Sequence, residues 1–305
     1  QIGFKHMRFG QLDPAIVAFK ASLGLFVQAN DYVNMAQCHN EIGNMFFDKG
    51  MPDSSIIYLT TAYNIRDLLE SEKGKVNTAI NLGLVYAQFN QDYEKALQYF
   101  YVALEGQRAA NDTVGMANAL NNIALCYQHT DRFEDAIPML YEALDLWESI
   151  NSLGGQAMTL NNLGDAHREL KKYDEAIPFF DRSLKICREI NMGFGIAQNL
   201  RKLGVLYYET GQYERAKPML IQSLEINEGQ GARKEMMHDY EYLANTYSKL
   251  KDYKNAYDFC ILYYDMKDSI GGEEIQKRML ELETEFETER KEKDLKIANQ
   301  KNDLL

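Results

Sequence analysis

Histidine and cysteine are the residue types most often used as metal ligands, nucleophiles or general bases, and both are scarce in this sequence. The five histidines are His6, His39, His129, His167 and His238. No two have the spacing of metal ligands on one helix, and His6 and His167 occupy positions where equivalent segments carry an aromatic residue. We therefore interpret them as packed structural residues.

The four cysteines, Cys38, Cys126, Cys187 and Cys260, lie in four different segments. They form no CxxC pair, whereas a zinc site or a disulfide framework clusters its cysteines. We expect four small buried side chains, which fit a reducing compartment without requiring one.

Catalytic motifs are missing as well. The sequence has no nucleotide-binding loop and no GxSxG nucleophile motif. Two glycine clusters, at 154–155 and 193–195, are interpreted as the ends of helices, where glycine is common. Carboxylates are abundant, but most are expected to be solvated. We therefore predict that the chain is not an enzyme and uses no cofactor and no metal.

Charge and hydropathy exclude two further classes of partner. The 305 residues carry a formal net charge of −12, and the pI is about 5.0. Nucleic-acid binding and attraction to an anionic membrane both depend on Lys and Arg, so neither is expected. No apolar run approaches the roughly 20 residues of a membrane span.

A row of amide side chains is the best candidate for a binding site. Asn81, Asn122 and Asn162 recur along the chain, and Asn77 and Asn118 lie four residues before the first two. Asparagine is a mediocre helix former because its side chain competes for backbone hydrogen bonds, so its repeated placement within helices indicates a function. The row continues as Gln198, Arg201, Lys202, His238 and Tyr242.

An internal repeat must position these residues. Seven times an aliphatic residue is followed by a small one, and the small residues are 40 or 41 positions apart. We attribute the single spacing of 41 to a turn at 90–93 that is one residue longer than its equivalents. A second alanine or serine follows each small residue after about 12 positions. The small residues are Gly3, Gly43, Gly83, Ala124, Gly164, Gly204 and Ala244.

Each repeat is predicted to contain two helices, A and B. In residues 156–190, Leu160, Leu163 and His167 have helical spacing in helix A, and Asp174 is the predicted N-cap of helix B. All five prolines are predicted to lie in the first turn of a B helix, where the backbone N–H has no partner. Glycine within helix A indicates close contact with helix B.

This pattern of small residue, aromatic residue and alanine resembles the tetratricopeptide repeat, with a period longer than the usual 34 residues. The resemblance implies an all-α fold, a right-handed α-α superhelix or solenoid of about seven helix-turn-helix repeats plus a long C-terminal helix. It also implies that the asparagine face of helix A lines a concave groove, where amides can bind the backbone of an extended peptide. The alternative is that these asparagines bond to neighbouring repeats or to water.

The two ends of the chain differ from its middle. Residues 1–270 are predicted to form the solenoid, with a first repeat that is truncated at its N-terminus because Gln1 falls only two residues before Gly3. Residues 271–305 are predicted to form a charged capping or connector helix, through which the chain could dimerise as a coiled coil. This junction is similar to one in bacterial signalling proteins, where such repeats precede a histidine kinase or helix-turn-helix output domain.

We therefore expect a protein or an extended peptide as the partner, bound by the ligand-sensing or scaffold region of a larger two-component or regulatory protein. The alternatives are a free-standing adaptor that joins two proteins and a cytosolic receptor for a peptide pheromone. The sensor role implies an extracytoplasmic location, and the alternatives imply the cytoplasm.

Overall fold

The computed structural model describes residues 12–267 and the isolated positions 284 and 288. The described part is helical and contains no β-strand. Its helices are α1 (Leu12–Gln28), α2 (Tyr32–Asp48), α3 (Pro52–Leu68), α4 (Glu72–Val85), α5 (Tyr93–Ala109), α6 (Thr113–His129), α7 (Phe133–Ser149), α8 (Leu153–Glu169), α9 (Tyr173–Glu189), α10 (Gly193–Glu209), α11 (Tyr213–Gln230), α12 (Arg233–Lys249) and α13 (Tyr253–Met266). Even-numbered helices are the predicted A helices and odd-numbered helices the B helices, which confirms the all-α repeat fold.

Three expectations concern residues outside this description. They are the beginning of the first repeat within residues 1–11, the charged helix within residues 271–305, and dimerisation through that helix. The predicted domain boundary at residue 270 stays a prediction.

The chain divides into two compact units, residues 1–166 and 167–305, and the division falls within α8. Consecutive helices pack against each other from α1 to α7 in the first unit and from α9 to α13 in the second. Within residues 12–267, the aliphatic residue before each small residue is fully or almost fully buried, as the repeat predicts. These residues are Ile42, Leu82, Ile123, Leu163, Leu203 and Leu243.

Glycine in the middle of helix A permits the predicted contact with helix B. A Cβ atom on Gly43 would lie 2.6 Å from Cγ of Leu59, and one on Gly83 would lie 2.6 Å from Cε1 of Phe100. Both partners are core residues of the following B helix. The free energy lost by placing glycine in a helix is therefore offset by close packing within the repeat.

The two glycine clusters at 154–155 and 193–195 do not end helices, so that interpretation was wrong. They lie in the first turns of α8 and α10. A Cβ on Gly155 would lie 2.2 Å from Cδ2 of Trp147, and one on Gly195 would lie 2.6 Å from Sγ of Cys187. Glycine here lets the beginning of an A helix contact the end of the preceding B helix. Equivalent positions in α4 and α6 hold Gly74 and Gly115.

The predicted beginning of the B helices was also wrong by about two residues. Helix α9 has Lys172 at its N-cap, and Asp174 is its second residue. Lys171 adopts a left-handed φ of 58°, so the turn between the two helices ends at this residue and Lys172 becomes the N-cap. As a result, Pro138, Pro178 and Pro218 lie inside their helices and not in the first turn. All three are exposed, so water can bond to the carbonyls that lose a backbone donor.

The extra residue of the 41-residue repeat was predicted in a turn, but it lies in a helix. Helix α4 continues through a π-helical turn at Tyr86–Asn90, and Gln91 then adopts a left-handed conformation. A π turn accommodates one inserted residue without changing the register on either side. The helices that follow therefore keep the alignment of the repeat.

Candidate functional site

The predicted asparagines of the first unit lie on one side of helices α4, α6 and α8. Asn77 and Asn118 are exposed, whereas Asn81, Asn122 and Asn162 are half-buried. We call the surface that these five asparagines form the amide face. Its members differ in their hydrogen bonds, and these differences separate structural asparagines from available ones. The amide face consists of Asn77, Asn81, Asn118, Asn122 and Asn162.

Two asparagines of the amide face are bonded to the preceding A helix. Nδ2 of Asn81 in α4 donates to Oδ1 of Asn40 in α2, at 3.3 Å. Nδ2 of Asn162 in α8 donates to Oδ1 of Asn121 in α6, also at 3.3 Å. These bonds hold one amide N–H inward, so the side-chain oxygens of Asn81 and Asn162 are available as acceptors.

The acceptors of these bonds belong to buried polar clusters that the sequence did not predict. Asn121 also donates to Oγ1 of Thr159 at 3.0 Å and to the carbonyl of Ala117 at 3.0 Å. Asn40 accepts from Oγ1 of Thr78 and from Nη1 of Arg66, each at 3.2 Å. Buried groups bonded in this way fix neighbouring repeats in one register.

The other three asparagines are available for a ligand. Within the described part of the chain, the side chains of Asn77, Asn118 and Asn122 make no hydrogen bond. Asn118 and Asn122 are one turn apart on α6 and therefore share a face. Each can offer one acceptor and two donors, which suits the N–H and C=O groups of an extended backbone.

Exposed apolar side chains flank these amides, and sequence reasoning missed them. On α6, Val114 is 48% exposed and Leu125 is 37% exposed. On the neighbouring A helices, Met158 is 44% exposed and Leu84 is 36% exposed. Val114 and Met158 each lie four residues before an asparagine of the amide face, and this spacing was the signal available in the sequence.

The predicted residues of the second unit form a different environment. Arg201 of α10 forms an ion pair with Glu235 of α12, and both side chains are mostly buried. Tyr242 packs edge-on against Tyr208, with ring centroids 6.0 Å apart, and burial raises the pKa of Tyr242. Lys202 lies over the Phe180 ring, with Nζ 5.9 Å from its centroid. Gln198 is half-buried on α10, and His238 is half-buried on α12.

The cysteines and His167 have the packed environments expected of them, whereas His129 is exposed. All four cysteines are buried and none forms a disulfide bond, and burial raises the pKa of the Cys126 thiol to about 12. His167 is buried against Phe179, and burial lowers its pKa. Among the described residues, no group of three His, Cys, Asp or Glu side chains is arranged to hold a metal ion.

The repeats match the tetratricopeptide repeat at residues 74–149, 115–189 and 155–229. The chain belongs to the tetratricopeptide repeat family. No curated protein sequence is significantly similar to it. In the described part of the chain, no helix is both long enough and apolar enough to cross a membrane.

Several solved tetratricopeptide-type structures share this fold. The apo form of RapI superposes with a TM-score of 0.69 at 16% identity, over 87% of this chain and 94% of RapI. A signal-transduction ATPase with a tetratricopeptide repeat sensor, from Pyrococcus horikoshii, gives 0.66 at 17% identity over 84% of this chain and 41% of that chain. A Rap protein complexed with competence and sporulation factor gives 0.58 at 18% identity, over 92% of this chain and 74% of that chain.

Proposed function

We propose that the amide face binds an extended segment of a protein or peptide. The observation that carries this proposal is the combination of unbonded Asn118 and Asn122 with exposed Val114 and Leu125 on one face of α6. Amides can bond to a peptide backbone, and the apolar residues can contact its side chains. Unlike a catalytic site, this arrangement needs no activated nucleophile.

The chemistry of the face also specifies the ligand segment. None of the four residues along α6 is charged, although the whole chain has a formal net charge of −12. A charged ligand side chain above α6 would lose hydration without gaining a partner. We therefore propose that the segment above α6 is uncharged, with small or apolar side chains. A ligand segment in extended conformation needs about six residues to cross three A helices that are spaced roughly 10 Å apart.

The proposed mechanism resembles the use of the fold in one structural neighbour. That neighbour is the Rap protein that was solved in complex with competence and sporulation factor. The identity of 18% makes this an analogy of fold, so the ligand of the present chain follows from its own surface chemistry.

We extend the proposal to the setting of the chain: the repeats are the sensing or scaffold region of a larger signalling protein. The Pyrococcus horikoshii neighbour, which has a tetratricopeptide repeat sensor, supports this role. A sensor in front of a membrane-bound kinase would lie outside the cytoplasm. An adaptor or a pheromone receptor would lie inside it, and both remain alternatives to the sensor role.

Selection from a peptide library tests the binding proposal. A phage-displayed library of random peptides is selected on the full chain, and the affinity of the enriched peptides is measured by fluorescence anisotropy. We expect Asn118→Ala and Asn122→Ala together to weaken binding about tenfold or more, because each lost hydrogen bond is worth about 0.5–1.5 kcal/mol.

The matched control is Gln98→Ala, which removes an exposed amide from the B helix α5 of the same unit. We expect this variant to bind like the wild type. Equal affinity of all three proteins for every enriched peptide would contradict the proposal, and so would a strict requirement for a charged residue within the bound segment.

A further inference from the structure

Asp239 is a fully buried carboxyl group within the second unit. It lies on α12 with no exposed surface and faces α11. Nδ2 of Asn227 donates to its Oδ2 at 2.6 Å, and Oγ of Ser223 lies 2.9 Å from its Oδ1. The proposed binding function does not use this group, and a buried carboxylate without a cation in contact is costly.

The preceding repeat has an amide in the same place. Asn199 of α10 and Ser183 of α9 precede Asp239 and Ser223 by one repeat of 40 residues each. Nδ2 of Asn199 donates to Oγ of Ser183 at 2.9 Å, and both residues are buried. The slot therefore accepts a neutral group that donates to the serine.

The hydrogen bonds around Ser223 can also be satisfied when Asp239 is neutral. Oγ of Ser223 lies 3.0 Å from the carbonyl oxygen of Ala197 and 2.9 Å from Oδ1 of Asp239. One hydroxyl proton cannot serve both acceptors. If Asp239 is protonated, it donates to Oγ of Ser223, and the serine hydroxyl donates to Ala197. This arrangement reproduces the amide-to-serine bond of the preceding repeat.

The charges around Asp239 partly oppose each other. The pKa of Asp239 is raised to about 6, and burial is the largest cause. The hydrogen bonds from Asn227 and Ser223 and the charge of Arg201 of α10 lower this pKa, whereas Glu235 of α12 raises it. Because Arg201 already forms an ion pair with Glu235, it stabilises the charged form of Asp239 less than an unpaired arginine would. Helix α11 presents the neutral Ser223 and Asn227, and no charge on the described part of α13 shifts this pKa.

We propose that Ser223, Asn227 and Asp239 form a proton-binding site between α11 and α12, and that the second unit is most stable when Asp239 is neutral. The sign follows from linkage. A carboxyl whose pKa is raised on folding adds stability below its ordinary pKa of about 3.9, and this stability is lost as the pH rises through the folded value. Ionisation of Asp239 therefore loosens the junction of two repeats.

Carboxyl titration in the full chain tests this inference. Aspartate is labelled with ¹³C at the carboxyl carbon, and NMR spectra are recorded between about pH 4 and pH 8, a range that spans the ordinary and raised pKa values. We expect one resonance to titrate near pH 6. It should disappear in Asp239→Asn and persist in Asp181→Asn, whose exposed carboxyl also has a raised pKa.

Thermal unfolding supplies a second readout. Asp239→Asn should fold, because Asn199 occupies the same slot one repeat earlier. We compare the two proteins between pH 5 and pH 8, a range that brackets the pKa of about 6. The Tm of the wild type should fall by several degrees more than the Tm of the variant. The inference is overturned if all the remaining aspartates of the Asp181→Asn variant titrate below about pH 5. An equal pH dependence of Tm in both proteins would also overturn it, and the wild-type titration decides even if Asp239→Asn fails to fold.

Discussion

The side-chain amide of Asn81 donates to the side-chain oxygen of Asn40 on the preceding A helix, one position before the residue that is equivalent to Asn81. Asn162 bonds to Asn121 in the same way. Asparagine therefore has two roles in this array. Some asparagines link A helices through buried bonds, and others, such as Asn118 and Asn122, are left available on the surface. The sequence shows one row of asparagines, whereas the structure divides it.

The aliphatic residue before each small residue should dominate the stability of its repeat. Leu163 of α8 is fully buried, so Leu163→Ala should lower the free energy of unfolding by about 2–5 kcal/mol through lost burial and a cavity. Met158→Ala on the same helix is the control, because Met158 is 44% exposed. Denaturant unfolding measures both, and equal losses would show that burial does not determine stability here.

Glycine substitutions should have opposite signs at two positions. In Gly83→Ala, the new Cβ would lie 2.6 Å from the buried ring of Phe100. We expect a loss of about 1–3 kcal/mol from overpacking. In Gly24→Ala, the new Cβ meets nothing within 4 Å inside helix α1, so we expect a gain of about 0.5–1 kcal/mol. Stabilisation by both substitutions would contradict the close approach at Gly83.

His167 should make stability depend on pH in the direction opposite to Asp239. Burial lowers its pKa, and Glu175, whose Oε2 lies 3.1 Å from Nδ1, offsets only part of this effect. Above the ordinary histidine pKa of about 6.5 the folded and unfolded forms are both neutral, and below it the unfolded chain gains a proton first. Stability is therefore lost as the pH falls below this value.

The substitution His167→Phe tests this linkage, because four equivalent repeats have tyrosine and one has phenylalanine in this position. We expect the variant to gain stability relative to the wild type as the pH falls from about 7.5 to about 5, the range in which histidine titrates. Thermal unfolding at several pH values measures the difference. A difference that does not change with pH would show that the folded protein binds the proton as readily as the unfolded chain.

The fold could be predicted because its determinants recur. Small and aliphatic residues at a period of 40 specify helix pairs, and each repetition supports the same register. Helix ends were less predictable. The position of Pro138 within α7 depends on a left-handed residue, Asp131, two positions before the helix, which nothing in the local pattern marks. The π turn at Tyr86–Asn90 likewise depends on packing on both sides of the insertion.

The candidate site was only partly predictable for a related reason. Period and residue type place Asn122 and Asn162 in equivalent positions, but hydrogen bonding depends on the neighbouring repeat. On the A helix that precedes Asn162, the neighbouring residue is Asn121. On the A helix that precedes Asn122, the equivalent position is occupied by Ile80. The exposed Val114 was missed because a single apolar residue in a helix is ordinarily assigned to the core.

The adjacent pair Asn121 and Asn122 provides the most direct test of the account. Each is replaced by alanine in the full chain, and both the free energy of unfolding and the affinity for a library-selected peptide are measured. We predict that Asn121→Ala loses about 1–3 kcal/mol of stability, because it leaves buried partners unsatisfied. Asn122→Ala should keep its stability and lose affinity. If Asn122→Ala unfolds the array, or if it binds the peptide as well as the wild type, the amide face is structural and the proposed function is contradicted.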